Sequence, residues 1–294
     1  MTGEATTGSA DEAPSTALVE RVLAEAAEVL IIEASPYDLD RPGAARTVVS
    51  GGGIAELARL LAVVDGGTGD HCRCIGWPTI VVLDATGREY ARWTLHHQTG
   101  IRGLGSCDAE LRDGPGLTDW LAERGLTGSR EAQRMLARLA AEDEERRLQW
   151  VQAAPPVLAE VADAASRQET GAEERLADLT AREYPDPTER IRMLLAWAGF
   201  PPRHTTTMGG TPWYELAPER MLLAEPTESI FDAVASAPPT PAQLDGAAEL
   251  FTCFGWTRPL RAEIPDPLRS TLVAHVTATG TDPMKFRMRH GYGA

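Results

Sequence analysis

Residues 78–97 read PTIVVLDATGREYARWTLHH, and this stretch decides the fold of the first part of the chain. The apolar run Thr79–Leu83 is typical of a buried strand, and the letters DATG that follow are typical of a turn, because glycine tolerates positive φ. The alternation from Arg88 to Leu95 predicts the returning strand, with Trp93 and Leu95 on the face toward the core. The stretch therefore predicts a β-hairpin.

Side chains that can ligate a metal lie on both sides of this hairpin. The segment HCRC (residues 71–74) precedes it, and the pair HH (residues 96–97) ends it. A turn at residues 84–87 places residue 74 opposite residue 97, or within a rung or two of it, and opposed side chains in an antiparallel pair lie about 5 Å apart. Neighbours on a strand point to opposite faces, so we expect only one of the two histidines to face the cysteines.

Two thiolates and one or two imidazoles are a ligand set that zinc accepts in proteins. The predicted ligands are Cys72, Cys74 and His97, with His71 or His96 as the fourth. Copper and iron accept the same ligand types. The pattern therefore predicts zinc or another transition metal and does not choose among them.

The same cysteines have two other interpretations. Isolated cysteines are most often small buried side chains, and histidines at strand ends are often hydrogen-bonded surface residues. Cys72 and Cys74 also permit thiol redox chemistry, through a disulfide between them.

Two nearby carboxylates, Asp70 and Glu89, are candidates for ligating a metal or for supporting its ligands.

Part of the sequence resembles the later half of a thioredoxin-like domain. The resemblance is carried by GWPTIVVLDATGRE (residues 76–89) and by the strand-like segment VLIIE (residues 29–33). It implies a cis proline at Pro78, and it implies thiol redox activity. The Cys-x-x-Cys of that family has no counterpart in PYDL (residues 36–39), so the cysteines at 72 and 74 would have to replace it. The layout also resembles a bacterial family that pairs a Cys-x-Cys segment with a His-His hairpin end, and this second resemblance implies no particular activity.

The composition excludes several classes of protein. The chain has 294 residues and a net charge of -15, from 43 acidic and 28 basic side chains. Such a chain repels phosphate backbones, so nucleic acid is not an expected partner. No run approaches about 18 apolar residues, and the first residues lack a secretory pattern, so we expect no membrane association. Four cysteines do not make a disulfide scaffold, and we expect a cytoplasmic protein.

Helix-type and strand-type patterns divide the chain into three parts. Residues 1–15 are small, polar and acidic, which is typical of a disordered tail. Residues 16–125 mix strands and helices, whereas residues 126–294 contain helical patterns only. The predicted fold class is therefore α+β, with a small mixed α/β domain followed by an all-helical domain.

Some local features of these domains can also be predicted. Residues 40–53 and residues 199–226 look like loops, because glycine and proline interrupt them. The best-marked helix start is at Thr240, where Pro241 and Gln243 complete the pattern of a capping box.

The leading hypothesis from the sequence is a soluble cytoplasmic protein that binds one transition metal at the base of the hairpin. A structural role and a catalytic role for this metal are both open. One alternative is a non-catalytic interaction protein whose helical part docks a partner, and another is a thioredoxin-like thiol protein. The expected partner is a second protein or a small molecule.

Overall fold

The computed structural model describes residues 12–200, 211–258 and 263–292. Most of the predicted tail, residues 1–11, lies outside this description, and so do residues 201–210 of the second predicted loop.

The chain forms two compact units, which divide between Ala140 and Ala141. This point lies inside one long helix, Gly128–Ala153, and follows the boundary predicted at residue 125. The first unit contains a six-stranded antiparallel sheet, and the described residues after it contain only helical elements. The predicted α+β fold class is confirmed.

The first unit combines short helices with the sheet. Its elements in chain order are α1 (Thr16–Ala24), β1 (Glu28–Ile32), β2 (Arg46–Ser50), α2 (Gly52–Leu60), β3 (Thr79–Leu83), β4 (Glu89–His96), β5 (Gly100–Arg102), β6 (Ala109–Glu110), α3 (Gly114–Glu123) and the beginning of α4 (Gly128–Ala153). The strand order is β2-β1-β3-β4-β5-β6.

The loop predicted over residues 40–53 was wrong, because β2 lies within it. Only Val49 of this edge strand is buried, so its sequence has no clear strand pattern.

The core of the first unit lies on one face of the sheet. Val29 pairs with Val82 and Ile80 pairs with Trp93, and all four side chains are buried. Helices α1, α2 and α3 supply leucines to the same apolar cluster, namely Leu18, Leu23, Leu57, Leu117 and Leu121. Burial of Trp93 and Leu95 confirms the predicted inner face of the hairpin.

The hairpin forms with a register that differs from the predicted one. The predicted turn pairs residue 79 with residue 92, whereas Thr79 pairs with Thr94 in the structure. Two offsets of one residue account for the difference. Leu83 pairs with Glu89 next to the turn, one residue beyond the predicted Arg88, and an irregularity between Val82 and Leu83 adds one further residue to β4. The shift is two residues, and side chains alternate with period two, so each side chain keeps its predicted face.

The segment before β3 is held against the end of β4. The Trp77 amide donates to the Leu95 carbonyl over 2.8 Å, and the Leu95 amide donates to the Pro78 carbonyl over 3.1 Å. The Trp77–Pro78 peptide bond is cis. Gly76 has a φ of +78°, and a Cβ on this residue would lie 2.6 Å from the Leu95 carbonyl oxygen. A glycine at position 76 therefore permits the cysteine segment to approach the strand.

The second unit contains the rest of α4 and nine further α-helices within the described residues. They are α5 (Ala159–Ser166), α6 (Ala172–Glu183), α7 (Pro187–Ala198), α8 (Ala217–Ala224), α9 (Thr227–Ala235), α10 (Pro241–Thr252), α11 (Phe254–Thr257), α12 (Asp266–Thr279) and α13 (Asp282–His290), with 3₁₀ turns at Pro156–Leu158 and Trp213–Leu216. The loop predicted over residues 199–226 was wrong over its second half, which contains a 3₁₀ turn and α8. The capping box at Thr240 and Gln243 is present as predicted.

Helix α7 lies at the centre of the second unit, in contact with α8, α9 and α10. Its Trp197 stacks on Trp150 of α4 with ring centroids 4.7 Å apart, and the indole N–H of Trp197 donates to the Trp150 carbonyl. Within the described ranges, no helix has both the length and the apolar character needed to cross a bilayer.

Substitution of Gly76 by alanine tests the approach of the cysteine segment to β4. We expect Gly76→Ala to lower the free energy of unfolding by about 2–4 kcal/mol, because positive φ and the contact with the Leu95 carbonyl both disfavour a Cβ. The matched control is Gly87→Ala, since Gly87 has a φ of +76° and no neighbour within 4 Å of its Cβ position. Urea unfolding measures both variants, and equal losses would contradict the proposed close approach.

Candidate metal centre

Four side chains with ligand atoms converge at the base of the hairpin. Cys72, Cys74, His96 and His97 each offer one ligand atom, and these atoms all lie within 4.8 Å of one another. The two cysteines lie in the exposed segment before β3, and the histidines lie at the end of β4. This is the one such group of three or more ligating side chains found among the described residues.

Both histidines face the cysteines, because the chain leaves the strand between them. His96 is the last residue of β4, whereas His97 has a φ of +51° and the next residue, Gln98, has a φ of +62°. Side chains alternate only while the backbone stays extended, so the left-handed conformation turns His97 back toward the ring of His96. The two ring centroids are 4.1 Å apart in an edge-to-face arrangement. The expectation that only one histidine faces the cysteines was wrong.

The structure separates the two candidates for the fourth ligand. His96 belongs to the cluster, whereas His71 is exposed, with its Nδ1 atom 3.3 Å from Oδ1 of Asp108. His71 therefore contacts a neighbour of the cluster and is not part of it.

The residues of the cluster fit a tetrahedral metal ion. Nε2 of His97 lies 3.5 Å from the sulfur of Cys72. In a tetrahedral zinc shell with Zn–S of about 2.3 Å and Zn–N of about 2.0–2.1 Å, a sulfur and a nitrogen lie about 3.5 Å apart. Nε2 of His96 is buried and has no hydrogen-bond partner among the described residues. A buried polar atom without a partner is costly, and a cation bound through this nitrogen would satisfy it.

A partly buried ion pair anchors the cysteine segment. The carboxylate of Asp108 accepts from the Cys72 amide over 2.9 Å and from Nε and Nη2 of Arg102 over 2.8 Å and 2.7 Å. The same guanidinium donates to the main-chain carbonyls of Cys72 and Cys74. Arg102 and Asp108 therefore hold the main chain at both cysteines of the cluster.

Arg102 and Asp108 were not among the residues predicted from the sequence. The two predicted carboxylates have other contacts: Glu89 pairs with Arg92 over 2.5 Å, and Asp70 accepts from the amide of the next residue. An ion pair that forms between strand β5 and a later loop leaves no periodic signal in the sequence. Its proximity to the cysteines follows only from the pairing of β5 with β4.

The surroundings of the cluster change the pKa values of its members. The Cys74 amide and the ring of His97 lower the pKa of Cys72 to about 7. The hydrogen bond with Cys72 raises the pKa of the Cys74 thiol, and burial lowers the pKa of His96. The Arg102 guanidinium holds the pKa of Asp108 well below its usual range. The lowered pKa values of Cys72 and His96 both favour the deprotonated side chains, which are the forms that bind metals.

A cavity of about 370 Å³ opens beside the cluster. Cys72, His96 and His97 form part of its wall, and the carboxylates of Asp70, Asp108 and Glu110 form another part. An acidic wall favours a cation over an anion at this position.

The comparisons with protein-family models, with curated proteins and with solved structures found no match. The chemistry of the site must therefore be inferred from its own geometry. The thioredoxin-like resemblance stays a prediction.

The other two cysteines lie apart from the cluster. Cys107 is buried, with its sulfur 3.9 Å from the Gly66 carbonyl, and Cys253 is partly buried in the second unit. Burial raises the pKa of the Cys253 thiol to about 11. Both thiols are therefore expected to react slowly with alkylating reagents.

The pH dependence of alkylation tests the environment of Cys72 in metal-free protein. We expect its rate of reaction with iodoacetamide to rise with a midpoint near pH 7, because the thiolate is the nucleophile. His97→Ala should move this midpoint to higher pH, since the imidazole of His97 lowers the pKa of Cys72. Peptide mass spectrometry after timed quenching measures the rate at each cysteine separately.

The matched control for this measurement is His71→Ala. His71 lies one residue from Cys72 but contacts Asp108, so its removal should leave the midpoint near that of the unchanged protein. An equal upward shift in both variants would contradict the role given to His97.

Proposed function

We propose that the protein binds one transition metal ion, zinc first, through Cys72, Cys74, His96 and His97. The observation that supports this most directly is the convergence of four ligand atoms within 4.8 Å, one of them on a buried histidine ring. Two thiolates balance the charge of a divalent ion, so the occupied site would be neutral. Imidazole and thiolate are the ligands that zinc accepts in tetrahedral sites.

We further propose that the role of the ion is structural. Four protein ligands complete a tetrahedral shell and leave no open position for a substrate, as in structural zinc sites. The ligands come from two places in the chain, the segment before β3 and the end of β4, so the ion would link these two segments.

A second candidate function is thiol redox chemistry. The observation that favours it is the exposure of both Cys72 and Cys74, together with a pKa of about 7 for Cys72. This function requires a disulfide between the two cysteines, which excludes a metal at the same sulfurs. Metal content therefore separates the two candidates.

Elemental analysis of protein purified under reducing conditions without a histidine tag tests the metal site. We expect about one equivalent of metal per chain, and a thiolate-to-metal charge-transfer band when cobalt replaces it. The Cys72→Ser/Cys74→Ser double variant should lose both signals, while Cys107→Ser should keep them. The proposal fails if the unchanged protein takes up neither zinc nor cobalt, or if the double variant retains a full equivalent.

The ion pair between Arg102 and Asp108 is expected to affect metal affinity without contacting the metal. Asp108→Asn keeps the shape of the side chain but removes its charge, so the Cys72–Cys74 segment should be less firmly held. We expect metal affinity to fall by about ten- to a hundredfold, the range typical for partners of metal ligands. Competition with a chromophoric chelator measures this affinity.

The matched control for Asp108→Asn is Glu110→Gln. Glu110 lines the same cavity and is exposed, but within the described part of the chain it makes no hydrogen bond or ion pair with the cysteine segment. An equal loss of affinity in both variants would show that the general negative charge of the cavity, and not the anchoring ion pair, controls binding.

A further inference from the structure

A second cavity adjoins the cysteine segment and has the opposite charge character. It has a volume of about 250 Å³, and three arginines, Arg73, Arg92 and Arg102, form part of its wall. Among the residues that the structure describes, no carboxylate side chain lines it, whereas three carboxylates and no arginine line the 370 Å³ cavity beside the cluster. Such a concentration of arginines is unexpected in a chain with a net charge of -15.

The three arginines differ in how much hydrogen-bonding capacity they have left. Arg73 makes no hydrogen bond or ion pair with any residue that the structure describes. Arg92 pairs with Glu89 on the surface, and exposed ion pairs of this kind contribute little to stability, so a ligand can compete for the guanidinium. Arg102 is held by Asp108 and by two main-chain carbonyls, which leaves one N–H on Nη1. Arg73 and Arg92 are therefore the groups available to an anion.

Large apolar side chains lie beside these guanidinium groups. Tyr37 is 84% exposed and Ile75 is 52% exposed, and both line the cavity. A ligand that covers exposed aromatic and aliphatic surface removes it from water, which favours binding. An aromatic ring also stacks on arginine. The cavity thus offers cationic groups for an anionic group and apolar surface for the body of the same molecule.

We propose that this cavity binds a small organic anion, with a carboxylate or phosphate group on Arg73 and Arg92 and an apolar part against Tyr37 and Ile75. Guanidinium groups bind both kinds of anion through paired charge-assisted hydrogen bonds. A volume of about 250 Å³ is at the small end of ligand sites, which restricts the ligand to a molecule with about one ring. This proposal goes beyond metal binding, because neither Arg73 nor Arg92 belongs to the ligand cluster.

Calorimetric titration of the full chain with phenyl phosphate and with benzoate tests this site. We expect saturable binding of at least one of these probes at a single site, and the two probes distinguish phosphate from carboxylate as the preferred group. Benzyl alcohol, which has the ring without the charge, should bind at least tenfold more weakly. The proposal is overturned if neither anion binds saturably or if benzyl alcohol binds equally well.

Substitutions test whether the probes bind in the arginine-lined cavity. Arg73→Gln should weaken the preferred probe by about ten- to a hundredfold, the loss typical for a charge-assisted hydrogen bond. Arg88→Gln removes an exposed arginine from the hairpin turn, outside the cavity, and should leave the affinity within about twofold. Tyr37→Ala should weaken phenyl phosphate but not inorganic phosphate. Equal losses in the two arginine variants, or no loss in Arg73→Gln, would overturn the assignment.

The same titrations after treatment with a chelator separate this proposal from the metal proposal. Binding that persists in metal-free protein and remains sensitive to Arg73→Gln supports the anion site, whatever the metal content proves to be. Binding that disappears with the metal and is insensitive to Arg73→Gln would show that the anion is a metal ligand, which overturns the anion site and leaves the metal proposal intact.

Discussion

The candidate site depends on two main-chain hydrogen bonds between the end of β4 and the segment before β3. The amide of Trp77 donates to Leu95, and the amide of Leu95 donates to Pro78. These bonds continue the hairpin beyond its last regular pair, and they carry the cysteine segment to the strand end that bears the histidines. Gly76 permits this approach because any Cβ there would meet the Leu95 carbonyl. The proximity of the two cysteines to the two histidines follows from this local contact.

The charges around the cysteine segment are distributed unevenly. Asp70, Asp108 and Glu110 line the cavity on which Cys72 lies, whereas arginines line the cavity on which Cys74 lies. The chain as a whole is strongly acidic, so the arginine-lined cavity is the exception and the acidic one follows the general composition. The ion pair between Asp108 and Arg102 connects the two cavities, because Asp108 lines the acidic one and Arg102 lines the basic one. Both residues also bond to the main chain of the cysteine segment.

Much of the fold could be predicted because its signals are local. The apolar run of β3 and the alternation along β4 fixed both strands to within a residue or two, and the cysteine and histidine types marked the site. The register could not be predicted, because neither the one-residue offset at the turn nor the bulge near Val82 has a sequence signature. The inclusion of both histidines depends on one left-handed residue, His97, and a single dihedral angle cannot be inferred from residue type. Contacts of Arg102 with Cys72 span 30 residues and become visible only when β5 pairs with β4.

Cys74 lies both in the ligand cluster and on the wall of the arginine-lined cavity. Without a metal the cluster carries the negative charge of the Cys72 thiolate, whereas two thiolates around a divalent cation would be neutral, so the electrostatic potential in the basic cavity would depend on occupancy of the cluster. Thermodynamic reciprocity then requires that an anion favoured by the loaded cluster strengthens cation binding by the same factor. A three-residue segment would thereby couple the affinities of two ligands of opposite charge, without any movement of the sheet.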